Sequence, residues 1–255
     1  MPGVLLPFLV LAGTVLSCAP QQTRPSADGG PEIRATVVRI RTVIEPGDLK
    51  QAHSLIIVGD EVRATDEHDG WRLFNVKDNT VTFVDDIAKT RRTETLAEVN
   101  RKRRTLVAGP LPPLYPNVQV SRTGEKQPLL GVPTEHVVIQ AGGYRREVWL
   151  GEHPQIPSGV YSMMYQSDPP SSPLIPMMSR VDELFAQVSG FPLADRTEVS
   201  FGADKTIVDR RVIAIEQRAV SASLIRIPAD YLDLTPVPEP TRGRKTPPPR
   251  TGISR

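Results

Sequence analysis

The residues able to do acid–base, nucleophilic or metal chemistry in this chain are few and scattered. Its four histidines, His53, His68, His136 and His153, form no His-x-x-x-His pair, so the helical zinc motif is absent. The run Asp66-Glu67-His68-Asp69 has the carboxylates and imidazole of a cation site. Followed by Gly70, it also suits a polar hairpin turn, which is the reading preferred here. Glu135 and His136 are neighbours on an expected strand, where consecutive side chains point to opposite faces and cannot share one ion. No serine stands in a Gly-x-Ser-x-Gly elbow, and no glycine-rich loop opens a helix after a strand. The expectation is a protein without catalytic residues, resident metal or cofactor. A hydrolase is the weakest of the readings weighed.

The remaining reactive group is the only cysteine, Cys18. A single thiol excludes an internal disulfide and any zinc site built on two or more thiolates. Cys18 ends an apolar run from Val4 to Leu16, interrupted by Pro7, Gly13 and Thr14. That length fits a signal-peptide core and is short for a membrane span. The junction Val15-Leu16-Ser17-Cys18 resembles the lipobox of bacterial lipoproteins, an aliphatic residue and a small residue leading to the cysteine that is acylated. The resemblance implies cleavage between Ser17 and Cys18 and two or three acyl chains on Cys18. At ~0.8 kcal/mol per buried CH₂, two or more chains anchor stably where one holds only marginally. The competing reading is an ordinary cleaved signal with a coincidental or buried thiol. Ala19 is not aspartate, which under the sorting rule of enteric bacteria implies the outer membrane. The expected location is therefore the bacterial cell envelope, lipid-anchored to the outer membrane and facing the periplasm.

Composition agrees with one globular domain between two flexible ends. The chain has 255 residues, a formal net charge of +2 and 39% hydrophobic residues. So small a net charge argues against a dedicated nucleic-acid binder. Residues 1–17 read as the signal, 18–32 as a lipidated flexible tether, 33–233 as the folded domain and 234–255 as a disordered Pro/Arg-rich tail. The tail, and the basic run Arg101 to Arg104 with Arg91 and Arg92, read either as solvated charge or as contacts to anionic lipid or polymer.

Within the domain, apolar and polar residues alternate with period two over many short runs, the pattern of half-buried antiparallel strands. Ala35 to Val43 opens the series, with Val38 and Ile40 on one face and Arg39 and Arg41 on the other. Leu55 to Val58, Val62 to Thr65, Trp71 to Lys77 and Thr80 to Asp85 follow through tight turns, giving five strands in meander order. Thr93 to Leu106 has helical spacing, with Thr93 or Thr95 as cap and Glu98 completing a capping box from Thr95. Strands resume at Val118 to Thr123, Pro128 to Val132, Glu135 to Gln140 and Tyr144 to Gly151. A Met-rich insert follows, with a helix expected from Ser179 to Ser189. Thr197 to Phe201, Thr206 to Gln217 and Ser221 to Ile227 read as closing strands. About ten strands with two helical insertions define a mainly β, α+β fold, a curved antiparallel half-open barrel with helices over its concave face.

Local runs add a family resemblance. Trp71-Arg72-Leu73-Phe74-Asn75, then Val81 to Asp86 and Lys89, are similar to a paired hairpin of the lipoprotein-carrier superfamily, the LolA/LolB type. Leu129-Leu130-Gly131, Glu147-Val148-Trp149-Leu150, Gly190-Phe191-Pro192-Leu193 and Ile227-Pro228-Ala229-Asp230-Tyr231 resemble its later elements. The resemblance spans about residues 33 to 233 and implies a half-barrel that binds apolar ligands. It points to an uncharacterised secreted lipoprotein branch. Fold alone does not set function.

Two non-enzymatic readings follow. In the first, a non-catalytic envelope lipoprotein holds an acyl chain, lipid or lipoprotein segment against Val38, Ile40, Phe83, Val137, Ile139, Val148, Ile213, Ile215 and Ile225. Met163, Met164, Met177, Met178 and Phe185 form either a lid over that cavity or ordinary core. In the second, the domain is a protein-interaction or sensor module of the envelope. The partners expected are the membrane through the anchor, a lipid or lipoprotein ligand, or an envelope protein, and no nucleic acid.

Overall fold

Period-two patterning organises the chain into a single curved, open sheet. The computed structural model describes residues 31–65, 70–106, 118–167 and 189–235. Among them, β1 (Glu32–Glu45), β2 (Leu49–Val58), β3 (Glu61–Thr65), β4 (Gly70–Asn75), β5 (Thr80–Asp85) and β6 (Thr90–Thr95) form an up-and-down meander. Helix α1 (Leu96–Leu106) follows. A second meander runs β7 (Gln119–Leu129), β8 (Val132–Ala141), β9 (Tyr144–Gly151), helix α2 (Val160–Ser167), β10 (Phe191–Phe201) and β11 (Asp204–Ser221). The short β12 (Leu232–Asp233) closes the series. The order is β12-β6-β5-β4-β3-β2-β1-β11-β10-β9-β8-β7, so the two meanders join along β1 and β11. That seam runs from Glu32 opposite Ser221 to Glu45 opposite Ile207.

Strand β1 lies mid-sheet, and its run Ala35-Thr36-Val37-Val38 is buried on both faces. Val38 faces α1 and α2 on the concave side, in a core with Leu55, Ile57, Val62, Phe74 and Val81. Ala35 and Val37 face outward, under Leu224. From that point a strap formed by residues 222–235 crosses the outer face. Arg63 donates to the Leu224 carbonyl and lies 4.2 Å over the Trp71 ring. Asp86 accepts from Trp71 Nε1 at 3.1 Å and from the Tyr231 hydroxyl at 2.9 Å. The strap then pairs in parallel with β6, Leu232 N–H donating to Lys89 O at 2.9 Å. It thereby covers one exposed sheet edge. The opposite edge, β7, is blunted by a register shift after Arg122, by Gly124, and by Lys126 and Pro128.

The expected fold class holds, and several boundaries need correction. The described residues contain twelve strands where about ten were expected. Residues 93–95, placed in the expected helix, instead end strand β6, whose sequence Thr90-Arg-Arg-Thr-Glu-Thr95 has no apolar residue to mark alternation. Its pairing rests on polar contacts, among them Thr82 Oγ1 and Thr93 Oγ1 at 2.8 Å. The helix starts after Thr95, which caps it. Glu98 N–H donates to Thr95 Oγ1 at 3.2 Å, and Glu98 accepts from Thr95 N–H at 2.9 Å. Those donated bonds hold the Glu98 carboxyl below the ordinary carboxylate range. Val118 to Thr123 and Pro128 to Val132 are not separate strands; β7 runs unbroken to Leu129 and turns at Leu130-Gly131. Ser221 to Ile227 is not a strand; a 3-10 turn over Ala222–Leu224 starts the strap. The Asp66–Asp69 turn, most of the expected 179–189 helix, the leader, residues 18–30 of the expected tether and residues 236–255 of the expected tail lie outside the described residues, whereas Glu32 opens β1 and Leu234 is held on β6.

Two turns give opposite tests. Leu130 holds φ +52° in a two-residue hairpin and is 52% exposed. Leu130→Gly should therefore stabilise the fold by about 1 kcal/mol, removing the left-handed penalty of a side chain with a Cβ. A Cβ on Gly143 would stand 2.4 Å from the Ser200 carbonyl oxygen. Gly143→Ala should cost roughly 1–3 kcal/mol. Urea unfolding midpoints measure both shifts.

Candidate binding surface on the concave face

Helix α2 is two turns long and buries Val160, Met163 and Ser167, one stripe at helical spacing. Val160 and Met163 enter the core with Val38, Leu55 and Phe74, and Met164 packs at its margin. Tyr161 touches that cluster and a second one made of Val137, Ile139, Ala141, Tyr144, Val148 and Leu150. The helix thus covers apolar floor contributed by both meanders.

Two arginines fasten it. Arg72, on β4, shares the concave face with Phe74. Its Nη1 donates to Ser167 Oγ at 2.8 Å and to the Met164 carbonyl at 3.3 Å, at the helix C-terminus where carbonyls lack partners and cations are favoured. Arg146, on β9, lies between Tyr144 and Val148 on the concave face and is 1% exposed. It makes a two-pronged contact with Asp195 of β10, Nε to Oδ1 at 2.9 Å and Nη2 to Oδ2. Nη2 also donates to the Tyr161 hydroxyl, and the guanidinium sits 4.6 Å from the Tyr165 ring centroid. Thr197 donates to Asp195 Oδ1 at 3.2 Å, and Arg210 Nη1 stands 3.9 Å from Asp195 Oδ2.

The electrostatics follow from this geometry. Burial opposes the Arg146 charge, but Asp195 and the tyrosines outweigh it, and its pKa stays well above the ordinary value. Burial pushes the hydroxyls of Tyr144, Tyr161 and Tyr165 upward, against the pull of Arg146. The tyrosines therefore serve as neutral hydrogen-bonding and π groups. One charge pair and three rings form a polar island in an apolar surface.

The expected lining residues are distributed as follows. Val38, Ile40, Phe83 and Ile215 belong to the first cluster, and Val137, Ile139 and Val148 to the second. Ile213 needs correction: it is 48% exposed, the extra residue of a bulge where Arg39 pairs with Ala214 and Ile40 with Val212. Ile225 also moves, because it ends the 3-10 turn and is not on a strand. Met163 and Met164 belong to α2 itself, Met163 in the core and Met164 at its margin; Met177, Met178 and Phe185 fall outside the described residues. Glu135 and His136 part as strand neighbours should: Arg122 pairs with Glu135 at 2.6 Å, while His136 stacks on Trp149 at 4.4 Å. Lys102 of the basic run reaches the buried Glu94 at 2.7 Å.

Sequence reasoning missed Arg72, Arg146, Asp195 and the tyrosines. A signal was present for the arginines. Arg146 stands in phase with Tyr144, Val148 and Leu150, and Arg72 with Phe74, so each charge occupies an inward position of an alternating strand.

No family model and no curated protein matches this chain. Among solved structures, PNGF-II is similar at a TM-score of 0.43 and 12% identity over 80% of this chain. The chain spans 31% of that protein's length. An uncharacterised conserved protein of Thermus thermophilus is similar at 0.40 and 10% identity, covering 79% of this chain and 90% of that one. A LolA-superfamily protein of Nitrosomonas europaea is similar at 0.26 and 8% identity, covering 80% and 93%.

The Arg146–Asp195 pair predicts a non-additive pattern. Asp195→Ala leaves a buried guanidinium without its carboxylate and should cost about 3–5 kcal/mol. The double variant Arg146→Met, Asp195→Leu should recover most of that loss. Denaturant unfolding of the single and double variants checks the pattern.

Proposed function

We propose that the chain is a non-catalytic lipoprotein of the bacterial envelope whose concave face binds an apolar ligand. The ligand class is an acyl chain, a lipid or a lipoprotein segment. The observation that carries the reading is the covering of the apolar floor by α2, an eight-residue helix fastened by side chains from both meanders. A helix of that length has little stability of its own, so its position depends on those contacts. An apolar ligand that takes its place gains burial at ~25 cal/mol per Å² of apolar surface. Met163 and Met164 then act as an adaptable underside of the lid. Cys18 supplies the lipid anchor to the outer membrane.

A second reading, a protein-interaction module, draws on a different observation. Ile87, Leu232 and Leu234 are 75%, 63% and 50% exposed where the strap meets β6. Native mass spectrometry of the chain produced without residues 1–18 separates the two. The first reading expects a copurified lipid mass that is lost on delipidation and regained on adding lipid. Lipid-free protein that takes up none contradicts it. In the full chain, Cys18→Ala should abolish the acyl mass and release the protein from the membrane fraction.

A further inference from the structure

The concave face is not uniformly apolar, and apart from Arg72 and Arg146 it carries a polar row that crosses the middle of the sheet. Asp195 of β10 pairs in register with Arg210 of β11, Arg210 with Thr42 of β1, and Thr42 with Gln51 of β2. Residues directly opposite one another on neighbouring strands share a face, so these four side chains form a strip across four strands, roughly 14 Å wide. Along β1 the strip lies two residues beyond Ile40 and four beyond Val38, both of which pack in the apolar core. The face is therefore divided, with a polar row toward the β1–β2 turn and apolar rows behind it.

Two features of the row lack an explanation within the fold. Thr42 is 2% exposed, and its Oγ1 has no hydrogen-bond partner among the described residues; the Oε1 of neighbouring Gln51 is buried and equally without one. Leaving a buried polar atom unpaired is costly, so such atoms generally mark a place for water or a ligand group. Arg146, beside the row, competes with Arg210 for its carboxylate. Among the described residues Arg146 and Arg210 share the Asp195 carboxylate, which Arg146 already engages on both oxygens. Arg210 stands at 3.9 Å and is half-exposed.

We infer that the ligand is an amphiphile with an anionic head, a carboxylate or phosphate. Its head lies on Arg210 with the Thr42 hydroxyl as a further donor, and its chain lies over Ile40, Val38 and the core behind them. The inference rests on the concave face binding an apolar ligand and adds the chemistry of the head. Displacing α2 strengthens the match. Arg146 then loses the Tyr161 hydroxyl and the Tyr165 ring, and a head-group oxygen can take the vacated position.

The test compares cis-parinaric acid with its methyl ester, which share one fluorescent chain and differ in charge, on the delipidated chain lacking residues 1–18. The acid should bind about tenfold more tightly, the scale of one charge-assisted hydrogen bond. Arg210→Gln should erase that preference, and Asp195→Asn, which removes the competing carboxylate, should widen it severalfold. Thr42→Val removes an unpaired hydroxyl, so it should leave the unfolding midpoint unchanged or raised while weakening the acid alone. Equal binding of acid and ester, with a ratio unmoved by Arg210→Gln, overturns the anionic head and leaves apolar binding intact. Binding of neither probe overturns the apolar-ligand reading itself. Displacement of the acid by millimolar acetate would mark a free-anion site and also overturn the inference.

Discussion

An open curved sheet buries its concave face only if something else covers it. A closed barrel fills its interior with its own side chains, and a sandwich uses a second sheet. Here the described strands end at β7 on one side and at β6 with β12 on the other, so the face needs an added cover. The two helices supply it, and α2 lies across the middle. Most of the remaining organisation serves that need. The seam of β1 and β11 sets the curvature's midpoint, the outer strap and the irregular β7 protect the edges, and inward-facing arginines hold the cover in place.

The means of attachment explain how a cover can be both specific and removable. Apolar contacts from Val160 and Met163 would favour many positions of a short helix on a broad apolar floor. Directional contacts select one: Arg72 at the Met164 carbonyl and the Ser167 hydroxyl, and Arg146 at Tyr161 and Tyr165. The Arg146 charge is tolerable there because Asp195 neutralises it whether or not α2 is present. The anchoring charge pair belongs to the sheet, and α2 contributes only neutral groups to it. Helix departure therefore exposes an intact ion pair and leaves no isolated buried charge.

How much of this was legible in the sequence depended on the physics of each element. Strands with one buried face advertise themselves by alternation, and β1 through β5, β8 and β9 were read correctly as strands. Strand β6 carries no apolar residue, being held by threonine and charged pairs, and period-two reasoning passed over it. The Ser221 to Ile227 segment is apolar enough for a strand, yet it packs as a strap because Ile33, Ala35 and Val37 leave an outer apolar patch to cover. The expected lining residues follow hydrophobicity alone, which found seven that pack on the inner clusters and misplaced two, Ile213 at a bulge and Ile225 at the end of the 3-10 turn. The polar groups that fasten α2 were not singled out, because a charge at an inward strand position shows only when the phase of each residue is followed along the strand. Pairing between strands distant in sequence, such as Arg146 with Asp195, cannot be read from one strand's pattern.

The central claim is that α2 is a displaceable cover over a stable sheet. Amide hydrogen exchange of the chain lacking residues 1–18, with and without saturating cis-parinaric acid, tests it most directly. The account predicts that amides of residues 160–167 open more readily than those of β8 and β9 in the free protein. It predicts that they lose protection further when ligand binds, while the sheet gains it. Protection of α2 equal to that of the central strands, and unchanged at ligand saturation, would contradict it.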